Sequence, residues 1–177
     1  MPGAESNGLI IVYTGNGKGK TTAALGAALR ALGHGKKVHV AYFMKGESPY
    51  GEQIAMSKLP NITFSKFGRK GFVDPENVTP EDRQEAQKSL LAAKEAALGG
   101  NYGLVILDEI NVAVAWNLLE VETVINLIDN KPANVDIILT GRYADQKLIE
   151  RADLVTEMLE IKHPYARGEG AKKGIDY

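Results

Sequence analysis

The sequence predicts an α/β protein built on a mainly parallel sheet of six strands flanked by helices, and three observations predict it. The first is the stretch at residues 8–35, G-L-I-I-V-Y-T-G-N-G-K-G-K-T-T-A-A-L-G-A-A-L-R-A-L-G-H-G, where an apolar run, a glycine-rich loop and an amphipathic pattern follow without a gap. The second is L-V-I-L-D-E at residues 104–109, an apolar run that ends in two acids. The third is the alternation of short apolar runs with longer helix-spaced segments along the chain, the pattern of strand–helix–strand units and a parallel sheet.

Length and composition set the bounds. The 177 residues make one domain, placed at 8–177 behind a short tail at 1–7, and a chain of this size buries a core without staples. The absence of cysteine removes disulfides, zinc-thiolate sites and thiol nucleophiles together, and is compatible with a reducing cytoplasm. Lys+Arg 21 against Asp+Glu 22 gives a formal net charge of -1, which lacks the basic footprint of a nucleic-acid binder. Residues 1–7 carry neither a basic region nor an apolar core, so no signal peptide is read there. No apolar run approaches the ~20 residues of a membrane-spanning helix. The expectation is a cytoplasmic protein without membrane or nucleic-acid partners.

In chain order, residues 9–13 read as a strand buried on both faces. Leu25, Ala28, Leu29 and Leu32 then recur at helix spacing. Between them, Gly15, Gly17 and Gly19 let several N–H groups converge on phosphate oxygens at the positive end of the helix. Lys20 can reach between phosphates and the Thr21 hydroxyl can hold magnesium, as in a P-loop. The strict pattern asks for glycine at position 14, where Thr14 stands. A chance G-K-T-T in a loop is the alternative, and the strand before it and the helix after it argue against chance.

Residues 38–44 (V-H-V-A-Y-F-M) read as the second strand, with His34 and His39 taken as ordinary polar surface residues that form no metal site. Residues 45–53 read as a polar loop at the C-terminal end of that strand, the end where ligands bind in open parallel sheets. The alternation at 61–67 suits a third strand with one solvated side. Residues 68–78 form an irregular loop in which Phe72 is either functional or an anchor to the core. Thr79 as N-cap, Pro80 at the first helical position and Glu81 and Asp82 in the first turn start a helix that runs to Leu98 and stops at Gly99-Gly100. Its charges mark a solvated face.

Residues 104–109 describe a buried strand that delivers Asp108 and Glu109 to the same sheet edge as the glycine loop, where such an acid helps to hold magnesium. Trp116 lies in the apolar stretch 112–119 and reads as core or subunit interface rather than a cofactor contact. Val121, Val124, Ile125 and Ile128 mark a helix face ended by Asn130-Lys131-Pro132. Residues 135–140 form another buried strand. Arg142 follows it, either beside the phosphates or as an ordinary surface arginine. A short helix at 145–151 precedes an edge strand at 154–161, and residues 163–177 read by composition as a loose terminus.

T-G-N-G-K-G-K-T-T-A-A from Thr14 to Ala24 resembles the P-loop of the ATP:corrinoid adenosyltransferases, which make adenosylcobalamin. The resemblance continues in order through G-H-G-K-K-V (Gly33 to Val38), F-M-K-G (Phe43 to Gly46), Gly51-Glu52, Gly71-Phe72, L-D-E (Leu107 to Glu109), T-G-R (Thr140 to Arg142), Lys162-His163 and the terminal G-I-D-Y (Gly174 to Tyr177). It implies a RecA-like P-loop fold and transfer of the 5′-deoxyadenosyl group of ATP to a reduced Co(I) corrinoid, with triphosphate leaving. Because cobalt is then the nucleophile, no side chain has to be deprotonated, which agrees with the lack of a nucleophile–base pair in the sequence.

Carried over by resemblance, Gly15, Asn16, Gly17, Lys18, Gly19, Lys20, Thr21, Thr22 and Arg142 bind the nucleotide. Thr21 and Glu109, with Asp108 in support, hold magnesium; Lys20, Thr21 and Glu109 act on the departing triphosphate. Phe72 matches a family aromatic near the lower face of the corrin ring. A flavoprotein reductant and a homodimer are implied as well. The chain departs from some members in two places: Asp74 stands where they carry a tryptophan, and few residues precede Gly8 where they carry a helical lid over the partner's site. Two other readings use the same residues. A small-molecule or nucleoside kinase needs the same loop and acids, and a RecA-like nucleotide-dependent binding module would show salt-dependent oligonucleotide binding.

Overall fold

The apolar runs form six strands in the computed structural model, which describes residues 7–46, 50–68 and 73–176. They are β1 (Ile10–Thr14), β2 (Val38–Tyr42), β3 (Ile62–Lys66), β4 (Leu104–Asp108), β5 (Asp136–Thr140) and β6 (Leu154–Glu157). Their order is β3-β2-β4-β5-β1-β6, and every pairing is parallel. The arrangement is consistent with a P-loop NTPase-like fold, with β5 lying between the glycine-loop strand and the acid strand.

Helices α1 (Lys20–Gly33), α2 (Gly51–Met56), α3 (Pro80–Leu98), α4 (Ile110–Ala115), α5 (Val121–Asp129) and α6 (Gln146–Arg151) cover the sheet. Alternation along each strand divides the core into two layers. Val38, Val40, Tyr42, Leu104, Ile106 and Ile138 pack with Ala24, Leu25 and Ala28 of α1. Ala41, Val105, Leu107, Ile137 and Leu139 face the opposite way, among residues of α3, α4 and α5. α3 starts as the sequence predicts: Thr79 Oγ1 accepts from Asp82 N at 3.2 Å while Asp82 Oδ2 accepts from Thr79 N at 2.9 Å, a reciprocal cap on two otherwise orphaned amides.

Several strands are shorter than predicted, for a common reason. β2 stops short of Met44 and β4 short of Glu109, residues whose φ of 55° and 68° belong to the left-handed region and end the pleat. The edge strand β6 ends at Glu157 rather than 161. The segment expected as a loop at 45–53 gives rise to α2 from Gly51 onward, and the tail contains a 3₁₀ turn at Pro164–Arg167. Among the described residues no helix is long and apolar enough to cross a membrane.

His39 corrects a sequence expectation, since it is buried at 7% exposure rather than on the surface. Its Nδ1 lies 2.8 Å from Thr63 Oγ1 and its Nε2 lies 2.9 Å from Ser65 Oγ, on the neighbouring strand of the register. Burial holds the imidazole below its ordinary value of 6.5, so the unfolded chain takes up the proton first as pH falls. The stability this site contributes is therefore complete above the ordinary histidine value and is lost as pH drops below it. The fall in Tm between about pH 8 and about pH 5 is expected to be larger in the wild type than in His39→Gln; equal falls in thermal unfolding would refute the assignment.

Candidate functional site

The site forms where β1, β4 and β5 end and α1 begins. Gly19 caps α1 in a left-handed conformation, φ 112°, with no side chain bonded to the helix amides, which leaves the positive end of the helix open to an anion. Gly15 and Gly17 are required by close approach. A Cβ on Gly15 would meet the Met158 carbonyl oxygen at 2.5 Å, and one on Gly17 would meet the Leu159 carbonyl oxygen at 2.5 Å. Gly17 N donates to Met158 O at 2.7 Å. The loop therefore lies directly on the backbone that leaves β6.

Lys20 arches back over this loop and donates to Gly15 O at 2.7 Å and Gly17 O at 2.6 Å. Burial, opposed by Glu109 and Asp108 and reinforced by Arg142, lowers its ammonium from the usual lysine range. One residue on, Thr21 Oγ1 donates to Asp108 Oδ1 at 2.8 Å, and Thr140 Oγ1 donates to the same oxygen at 2.8 Å. Lys45 Nζ reaches Asp108 Oδ2 at 2.5 Å. Asp108 itself is fully buried and so lies beneath the site as its anchor.

Glu109 stands at the surface of this arrangement. It takes a left-handed conformation at the N-cap of α4, and its amide donates to Thr140 Oγ1 at 3.0 Å. A non-glycine residue held this way costs of order 1–2 kcal/mol, which a functional position can retain. Burial first, and then the Asp108 carboxylate, push its carboxyl above the usual range, against the pull of Lys45, Lys20 and Arg142. Thr21 gives its proton to Asp108 and keeps oxygen lone pairs for a cation. Together with the Glu109 carboxylate, this oxygen-only donor set suits a hard ion such as magnesium.

A cleft of about 1050 Å³ brings these groups together. Gly17, Lys18, Gly19, Lys20, Thr21, Thr22, Glu109 and Arg142 all line it. Gly15 lies at the base of the loop, where its carbonyl holds Lys20, and Asn16 is exposed. Asp108 does not line the cleft. Phe72 lies outside the described residues. Arg142 is exposed and lines the same cleft as the glycine loop.

The sequence missed several lining residues. Phe43, Met44, Val73, Val112 and Trp116 make an apolar wall in the same cleft; of these, Met44, Val73 and Trp116 also pack against the core. Trp116 thus has a cleft face in addition to the core role expected of it. Asp74, at the position of the family tryptophan, accepts from Glu76 N at 3.0 Å and Asn77 Nδ2 at 2.8 Å, an Asx turn that shapes the loop. The tail, expected to be loose, is tied to the glycine loop by an ion pair between Lys18 and Asp176, and Gly174, Ile175 and Asp176 line the cleft. Composition carries no sign of that pairing, and the resemblance marked the terminal G-I-D-Y only as a family motif.

A family model described as ATP:corrinoid adenosyltransferase BtuR/CobO/CobP matches residues 6–177. The corrinoid adenosyltransferase of Escherichia coli (strain K12) is 38% identical over 173 residues, spanning 98% of this chain and 87% of that protein. That of Pseudomonas aeruginosa is 36% identical over 174 residues, spanning 98% of this chain and 85% of that protein, and that of Salmonella typhimurium is 37% identical over 173 residues, spanning 98% and 87%. The chain belongs to the ATP:corrinoid adenosyltransferase family.

Proposed function

We propose that this enzyme transfers the 5′-deoxyadenosyl group of ATP to the Co(I) of a reduced corrinoid and releases triphosphate, in adenosylcobalamin synthesis or salvage. The observation that carries the reading is the single cleft in which a phosphate-binding loop and an apolar wall meet. A polyphosphate and a large, partly apolar second substrate can then be held together, as two reacting partners must be. A small-molecule kinase would use the same loop and acids, but family membership along residues 6–177 favours adenosyl transfer.

In this mechanism the substrate cobalt attacks C5′ of the ribose, the C5′–oxygen bond breaks and its electron pair leaves with the triphosphate. The protein has no proton to move on a nucleophile. Its tasks are to align C5′ with cobalt, to neutralise the leaving group and to exclude water. The amides of Lys18 and Gly19 just before α1, with the Lys20 ammonium and the Arg142 guanidinium, would donate to the triphosphate oxygens; Gly17, whose amide is bonded to Met158 O, with Asn16 and Thr22, shapes the loop around them. Lys20 exchanges the Gly15 and Gly17 carbonyls for phosphate. Thr21 and Glu109 would hold magnesium, with Asp108 fixing Thr21 from behind. Magnesium bound there supplies charge neutralisation to the triphosphate.

The apolar wall, with the ribose turned towards it, is the proposed corrinoid side. Phe72 is assigned to the lower face of the corrin ring by resemblance, and Val73 beside it lines the cleft. A homodimer, a flavoprotein as electron source and a cytoplasmic location belong to the same reading on family grounds. An anaerobic assay with ATP, magnesium and chemically reduced corrinoid is expected to give triphosphate and a photolabile cobalt–carbon bond. ADP without an adenosylated product would overturn the reading in favour of the kinase.

A further inference from the structure

Lys45 falls in the F-M-K-G stretch, where the sequence assigned it no role of its own, and it is a largely buried cation. It follows β2, which neighbours β4 on the side away from β5 and β1. Lys45 and Lys20 therefore approach Asp108 from opposite sides of the acid strand. The Lys45 side chain is 14% exposed and its ammonium sits 2.5 Å from the buried Asp108 Oδ2. The rings of Tyr42 and Tyr50 face the same ammonium at 5.0 and 4.8 Å.

A buried ion pair of this kind is weak evidence of a purely stabilising role, because apolar replacements of similar volume often serve as well. The surroundings point elsewhere. An ammonium has three N–H donors. Asp108 takes one, and the two rings offer faces rather than acceptor oxygens. Lys45 also lines the cleft, together with Lys20, Thr21, Glu109 and Arg142. A cation with spare donors is thus fixed by a carboxylate and two aromatic faces at the wall of a site for a highly charged anion.

We propose that Lys45 is a second triphosphate-binding cation, positioned by Asp108, which contacts the polyphosphate from the side of β4 opposite to Lys20. This rests on the reading of the cleft as a polyphosphate site. Lys45 and a divalent cation draw on the same pair of acids, so removing the lysine acts oppositely on the two ligands: it weakens the anion and leaves the metal unaffected or more tightly held. Simple damage to the site would weaken both.

The test titrates inorganic tripolyphosphate with magnesium by calorimetry, and Mn²⁺ alone by electron paramagnetic resonance, into wild type, Lys45→Met and Lys45→Arg. Lys45→Met is expected to weaken tripolyphosphate about tenfold or more, with Lys45→Arg recovering most of the loss, and with Mn²⁺ affinity equal to or above that of the wild type. Tripolyphosphate affinity within about twofold of the wild type, or a parallel loss of Mn²⁺, overturns the proposal. A wild type that binds neither ligand refutes the polyphosphate reading itself. Should Lys45→Met fail to fold, a crystal structure of the wild type with tripolyphosphate and magnesium decides. Nζ within about 3.2 Å of a phosphate oxygen supports the proposal, and Nζ contacting Asp108 alone sinks it.

Discussion

Lys20→Ala is expected to lower kcat/KM for adenosyl transfer by about a thousandfold or more, because a preorganised charge aimed at a developing anion is among the largest single contributions to catalysis. The leaving group here is a triphosphate, whose charge increases as its bond to C5′ breaks. The Lys20 ammonium is nearly buried and already held over the loop by Gly15 O and Gly17 O, so little reorganisation is needed to meet that charge. Truncation to alanine removes the charge and leaves the loop carbonyls facing the anion. Single-turnover kinetics with preformed Co(I) corrinoid isolates the chemical step from reduction. A rate within tenfold of the wild type would remove the P-loop lysine from the mechanism.

For Asp108→Ala the largest expected effect is on stability. The fully buried carboxylate accepts from Thr21, Thr140 and Lys45, and its loss leaves a largely buried ammonium without its counter-charge. Breaking such a pair from one side costs about 3–5 kcal/mol, which for a chain of this size lowers Tm by roughly 6–20 °C. Adenosyl transfer should be lost as well, since Thr21 is no longer held. A thermal melt that moved by less than about 2 °C would show that Lys45 relaxes to solvent and that the pair is not a structural element.

Much of this site was legible because its parts are local in sequence. The glycine loop, Lys20, Thr21 and the acids at the end of β4 each sit where a strand meets a turn, and parallel strands bring such ends to one edge. The same rule applied to β5 put Arg142 at this edge, with an ordinary surface arginine as the alternative. What the pattern could not supply was side-chain direction after the turns. Lys45 opened a loop expected at the ligand-binding end of β2 but carried no role of its own, and Trp116 read as core or subunit interface because its apolar neighbours show no cleft face. α2 is only six residues long, too short for an apolar period to emerge. The link between Lys18 and Asp176 joins residues that no local window contains. His39 was read as a surface residue because the sequence does not show that its strand lies inside the sheet, between β3 and β4.

The contact between the glycine loop and the chain leaving β6 has a consequence for how this enzyme is dissected. The support consists of the Met158 and Leu159 carbonyls, and alanine at 158 or 159 is blind to it because those oxygens stay in place. It is probed from the other side, by a Cβ added at Gly15 or Gly17, or by main-chain changes such as an ester replacing an amide. A scan confined to side chains after β6 would overlook the edge strand that props up the loop.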